Sequence, residues 1–168
     1  MPSPHLSTAD MHQHLSFTLA EQTYGIDILN VQEIKGWAAV TPIPNTPRYI
    51  KGVMNLRGMI IPVVDLRVKF GFSATAPTRY TVIIVATVGL RTIGLMVDAV
   101  SDVLDFRAED VQPAPDLGVN VDMRFIRGVV CVESSVITLL DIAHLLGDEL
   151  SADYPLCASP LPDAPPLP

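Results

Sequence analysis

The chain repeats itself, and that repeat constrains its fold more than any other feature. Residues 50–71, IKGVMNLRGMIIPVVDLRVKFG, lie over residues 126–147, IRGVVCVESSVITLLDIAHLLG, at a constant offset of 76 and without a gap. Six of the 22 positions are identical: Ile50/Ile126, Gly52/Gly128, Val53/Val129, Ile61/Ile137, Asp65/Asp141 and Gly71/Gly147. Upstream, GIDILNVQEI (25–34) matches GLMVDAVSDV (94–103) at an offset of 69, with Gly25 on Gly94, Val31 on Val100, Glu33 on Asp102 and Ile34 on Val103. The growth in offset places seven extra residues in the second copy, expected in the loop before Phe125. Two copies are too few for a solenoid.

Within each copy the apolar residues recur in short runs broken by Gly, Pro or polar turns, and the β-branched residues that fit a pleated surface are prominent among them. The runs predict strands at His14–Ala20, Tyr24–Ile28, Val31–Trp37, Gly52–Leu56, Met59–Val64, Tyr80–Thr87, Arg91–Val97, Ala99–Leu104, Gly128–Val132 and Val136–Leu140. Asp65–Phe70 and Asp141–Leu146 read as helices, each opened by an aspartate suited to an N-cap and closed by Gly71 or Gly147. Five short antiparallel strands that cannot bury both faces curl into a small barrel. The predicted class is therefore mostly β, two five-stranded β-barrel subdomains related by duplication, each with a short helix. The first takes residues 14–79 and the second 80–150. A repeat comparison leaves open whether end strands cross between barrels. Residues 1–13 read as a flexible leader. Residues 151–168, with six of the fifteen prolines, read as a disordered Pro-rich tail or a polyproline partner motif.

The duplication is also an internal control: what folding requires recurs in both copies. Asp65 and Asp141 recur and read as helix caps, not catalytic carboxylates. Gly52 and Gly128 recur and read as a bulge or a close backbone approach. Arg57 does not recur. It lies in GVMNLRGMIIPVVDL, where Val53, Met54, Leu56, Ile60, Ile61, Val63 and Val64 read as sheet core, and its hairpin turn NLRG aligns with CVES, so Glu133 stands in its place. The turn tolerates a reversal of charge. Arg57 is either an inconsequential turn residue or a contact that folding did not select.

Net charge is −7 with no basic stripe, which argues against nucleic acid and anionic lipid as partners. No apolar run approaches the roughly 20 residues of a membrane span, and the N-terminus lacks the pattern of a signal peptide. A cytoplasmic location follows as an expectation, and with it no disulfide between Cys131, read as core, and Cys157. His5, His12 and His14 read as stray histidines of the leader, and His144 as an exposed helical residue. No phosphate-binding glycine loop or HExxH pattern is present, no metal or cofactor is expected, and no nucleophile–base pair stands out.

VQEIKG, TPIPNTPRYIKG and GVMNLRGMIIPVVDLRVKFG, with TIGLMVDAVSDVLDF and EDVQPAPDL in the second copy, resemble the CheW-like domain family of bacterial chemotaxis over residues 14 to 150. The resemblance implies that the barrels are SH3-like. It implies a stand-alone scaffold that couples chemoreceptors (methyl-accepting chemotaxis proteins) to the histidine kinase CheA. Its expected receptor-binding residues are Val31, Glu33, Ile34, Gly52, Asn55, Arg57, Gly58, Val100 and Val103. Gln112 and Leu117 are expected at the kinase or ring contact, in a loop stiffened by Pro113 and Pro115. Read from periodicity alone, Val31, Ile34, Val100 and Val103 are plain core. Expected with this are a monomer when isolated and recruitment to membrane-associated receptor arrays. The alternative is an adaptor of a non-flagellar chemosensory pathway.

Overall fold

The computed structural model describes residues 11–38, 40–113 and 125–145. Local hairpins come first, because antiparallel partners joined by a two-residue turn need no long loop closure. β1 (Met11–Leu19) turns into β2 (Gln22–Asp27), and β3 (Val31–Gly36) follows a single 3-10 turn. β4 (Ile50–Leu56) turns into β5 (Met59–Asp65), which runs into helix α1 (Leu66–Lys69). The second copy supplies β6 (Val82–Val88), β7 (Arg91–Val97), β8 (Ala99–Arg107), β9 (Ile126–Val132), β10 (Ser135–Leu140) and helix α2 (Ile142–Leu145). The repeat offsets hold to the residue: β2 and β7 start 69 apart, while β5 and β10, and α1 and α2, start 76 apart.

The strands assemble into two five-stranded sheets, ordered β3-β6-β7-β5-β4 and β8-β1-β2-β10-β9. Mapping each strand onto its repeat converts one order into the other. Each sheet takes two strands from one copy and three from the other, so the two copies exchange strands. The joints are the two parallel pairs, β5 with β7 (Val63 opposite Gly94) and β2 with β10 (Leu139 opposite Gly25). The strands approach closely at both joints: a Cβ on Gly94 would lie 2.8 Å from Ile83 Cγ2 and force a shift, and one on Gly25 would lie 3.1 Å from Leu139 Cδ2, a tight contact.

Each sheet curls until its edges meet. The chain beyond β3 bridges back to β4 through Thr41 and Val53, which exchange two backbone hydrogen bonds of 2.9 Å. Beyond β8, Gln112 and Val129 do the same. Thr41 and Gln112 are 71 apart, so two of the seven extra residues of the second copy precede this bridge and five follow it, before Phe125.

Among the described residues, three apolar clusters form the core. Met54, Leu56, Ile61, Val63, Ile83, Val85 and Met96 line the inside of the first sheet, and Phe106, Val130, Ile137 and Leu139 that of the second. The largest cluster lies between the sheets, with Leu15, Phe17 and Ile26 meeting Ile84, Ala86, Ile93 and Leu95. The unbroken apolar run of β6 follows from this: Ile83 and Val85 face one core, Ile84 and Ala86 the other. Burying one such side chain stabilises by about 2 kcal/mol.

The aspartate caps form as expected. Asp65 Oδ1 accepts from the Arg67 amide at 3.0 Å, and Asp141 Oδ1 from the His144 amide at 3.2 Å. Gly71 follows α1 at φ +89°, and Gly147 lies outside the described residues.

Three expectations need correction. β1 starts at Met11, so residues 11–13, read as leader, belong to a strand, and His14, read as a stray histidine of the leader, is buried in it. The first residues of β1 pair with the far end of β8, Met11 opposite Arg107, and local sequence cannot reveal such a partner. Cys131 is exposed, because alternation along β9 turns Val130 inward and its neighbour outward. Ile60 is exposed as well, where the apolar run read as core.

Candidate docking surface

Arg57 and Gly58 are the two central residues of the β4–β5 turn, both at positive φ, +50° and +88°. The Asn55 side-chain oxygen accepts from the Gly58 amide at 2.8 Å and holds the turn shut. Glu133 and Ser134 adopt the same geometry at the β9–β10 turn, +50° and +73°. Asn55 and Gly58 thus have a backbone reason, and Gly58 has open space where a Cβ would be. Gly52 is buried in the barrel seam. The side chain of Arg57 has no such duty.

A β-bulge delivers the partner of Arg57. Between Val31 and Glu33, β3 carries one extra residue against β6, and β8 carries its counterpart between Val100 and Val103 against β1. A bulge bends the strand and re-aims the next side chain. Glu33 is thereby turned to the β4–β5 tip, where its Oε2 accepts from Arg57 Nη2. Arg57 is 63% exposed and Glu33 27%, so an incoming partner can reach the guanidinium. The hydrogen bond from Arg57, working against desolvation, holds the Glu33 carboxyl below its usual range, and the pairing raises Arg57 in turn.

The four aliphatic candidates divide into two repeat-related pairs. Val31 and Val100 are half-buried and pack on the core shared by the sheets, which places both on the seam between barrels. Ile34 and Val103 are exposed. Gln112 is exposed and makes the β9 bridge, and Leu117 and Pro115 lie outside the described residues.

The structure adds residues that the sequence reading passed over. β5 and β7 run parallel with Val63 opposite Gly94, so Met59 lies level with Leu90 of the β6–β7 turn. The 3-10 turn Ile28–Asn30 reaches the same end, where Asn30 Nδ2 donates to the Thr87 carbonyl at 3.2 Å. Leu29 and Leu90 are almost fully exposed there, with Met59 and Ile60 half exposed and the Arg57–Glu33 pair beside them. The available signal was Leu90 itself, an apolar residue following Gly89 where a turn calls for a polar one.

The equivalent end of the second sheet is acidic. Leu29, Glu33, Arg57 and Leu90 map onto Asp98, Asp102, Glu133 and Glu21. One duplicated fold therefore presents two ends of contrasting chemistry, one apolar with a basic residue, the other anionic. Among the described residues no group of three or more His, Cys, Asp or Glu is placed to hold a metal ion, and no helix is long and apolar enough to cross a membrane.

These features define a duplicated β-barrel protein whose two equivalent ends differ in surface chemistry. The CheW-like domain model matches residues 13–150, and the chain belongs to the CheW-like domain family, one of scaffolds rather than enzymes. Chemotaxis protein CheW of Klebsiella aerogenes is 47% identical over 137 residues, 82% of this chain and 82% of the relative. That of Rhizobium meliloti is 41% identical, covering 80% of this chain and 87% of the relative. The crystal structure of the scaffolding protein TtCheW from Thermoanaerobacter tengcongensis superimposes with a TM-score of 0.75 at 33% identity, covering 80% of this chain and 92% of that one.

Proposed function

We propose that this chain is a non-enzymatic scaffold that couples the cytoplasmic tip of chemoreceptors to the regulatory domain of the histidine kinase CheA. One observation carries the reading: equivalent ends of a duplicated fold differ in surface chemistry, one apolar with Arg57 and the other acidic, which suits contact with two different partners. Membership of the CheW-like domain family supports the choice of these two partners. A receptor tip is a helical hairpin with apolar ridges flanked by charge, suited to a seam bearing Val31, Val100, Ile34 and Val103. Arg57 then offers a planar fork to a partner carboxylate, with Glu33 keeping it in position. Gln112 and Leu117 serve the kinase or ring contact. The isolated chain is a cytoplasmic monomer recruited to receptor arrays. Micromolar pairwise affinity, about 8 kcal/mol, suffices where many copies assemble.

The test is a pull-down with a receptor cytoplasmic fragment and a CheA regulatory domain, comparing wild type with Arg57→Ala. We expect receptor binding to weaken about thirtyfold, the loss of a hot spot. Normal receptor binding by Arg57→Ala would overturn the role of Arg57, and failure of the wild type to retain either partner would overturn the coupling function.

A further inference from the structure

In the barrel interiors, His14 differs in kind from its repeat counterpart. His14 of β1 is buried, 4% exposed, and 69 residues on its place in the first sheet is taken by Ile83, also buried. The fold is satisfied by an aliphatic side chain there. His14 instead puts an imidazole against Phe106 of β8, ring centroids 5.5 Å apart, with its Nδ1 buried and without a hydrogen-bond partner. Around it, Ile137 and Leu139 of β10 are apolar, as is Leu104, its register partner on β8.

The charged groups facing it are few. Burial is the largest influence and opposes an imidazolium; Asp27, opposite on β2, and a hydrogen bond with the His12 backbone would favour one, while Arg127 of β9 and the charge of His12 would oppose it. Asp27 is already engaged: its Oδ1 accepts from the Leu29 amide at 2.9 Å and its Oδ2 lies 3.9 Å from Arg127. A proton on His14 would therefore be a buried charge with little to offset its lost hydration.

We propose that His14 makes the β1–β8 edge of the second sheet acid-labile: protonation of the buried imidazole opens this edge, while the equivalent β6–β3 edge, built on Ile83, is indifferent to the same acidification. The geometry locates the effect. β8 is an edge strand in the sheet order, hydrogen-bonded along its length to β1, with His14 opposite Leu104 near mid-strand. Burial lowers the affinity of His14 for a proton, so the open state binds a proton that the closed state resists. Opening then becomes more favourable as pH falls below the ordinary histidine value of about 6.5, by up to about tenfold per pH unit, until the lowered folded value is passed. Val100 and Val103 ride on β8, so acid would loosen one wall of the inter-barrel seam and leave Val31 and Ile34 in place.

Hydrogen–deuterium exchange on the full chain tests this directly, with protection factors corrected for intrinsic rates and compared between about pH 7.5 and about pH 5.5. The expected result is a fall of about tenfold in β1 and β8 protection, no matching fall in β3 and β6, and loss of the pH dependence in His14→Phe. Protection of β8 that does not change with pH in the wild type overturns the proposal. So does the same fall persisting in His14→Phe, which would assign it to His12, His144 or the carboxylates. Should His14→Phe fail to fold, ring-labelled wild type decides by NMR. His14 titrating below about 6.5 together with the β8 amides supports the proposal, and titration at or above that value overturns it.

Discussion

Gly52 lies so close against Thr41 that a Cβ on it would fall 2.1 Å from the Thr41 carbonyl oxygen, and its φ of +147° is one that L residues rarely adopt. Thr41 forms with Val53, the next residue after Gly52, the backbone bridge that joins the edges of the first sheet. Gly52→Ala should destabilise the chain by on the order of 3 kcal/mol or more, seen as a lower urea midpoint. Gly128→Ala, whose Cβ would meet Gln112 O at 2.6 Å, should do the same in the second sheet.

Leu29 and Leu90 are exposed at the apolar end and contribute little to folding. Leu29→Asp and Leu90→Asp should leave thermal unfolding unchanged. They should weaken binding of one partner protein and spare the other, because they convert this end toward the acidic character of its counterpart. Calorimetric titration of each partner separately is the measurement, and equal loss of both partners would refute the division of labour between ends.

Arg67 ties the sheets together at one point. Its Nη1 lies 2.5 Å from Asp98 Oδ2, which also accepts from the Ala20 amide in the β1–β2 turn, and its Nε donates to the Ser73 carbonyl at 2.9 Å. The second copy has Ala143 in this place, so the strut exists once. Arg67→Ala should cost about 2 kcal/mol in chemical denaturation, in the range for hydrogen bonds to charged groups. Arg67→Lys should recover only part of it, since an ammonium cannot reproduce the fork.

The two cap aspartates should respond to pH with opposite sign. Burial raises the Asp65 carboxyl, which is 1% exposed with Oδ2 unpartnered. Its folded form binds a proton more readily than the unfolded chain, so its destabilising effect is full above the raised value and vanishes below the ordinary one. For Asp141, burial pushes upward but is outweighed by the hydrogen bonds from the His144 ring, at 2.8 Å, and its amide, leaving a net lowering. Its contribution is present above the ordinary carboxylate value and lost as pH falls through the lowered one. At neutral pH, Asp65→Asn, which keeps a capping oxygen, should therefore hold or raise the melting temperature, and Asp141→Asn should lower it.

Much of this was legible because it is local. Strand alternation, the aspartate caps and the NLRG turn each depend on residues a few positions apart, and the repeat showed which of them folding needs. Cys131 and Ile60 are exposed within apolar runs, because such a run does not reveal which face meets a core, and the first residues of β1 carry no strand signal of their own because their partner lies in β8. Of the candidate site, Arg57 and Glu33 were both singled out, but their pairing depends on a bulge that appears only when β3 meets β6.

The sequence by itself determined two copies of a five-strand unit, their turns and caps, and the residues in which the copies differ. Only the tertiary structure decided that the copies exchange strands, that Leu29, Leu90 and Arg57 share one end, and that His14 occupies a barrel interior. The physical reason is the nature of sheets. Periodicity fixes which way a side chain points, but the backbone hydrogen bonds that choose a neighbour carry no side-chain signature, and the parallel joints β2–β10 and β5–β7 are set by which curled arrangement buries both apolar faces at once.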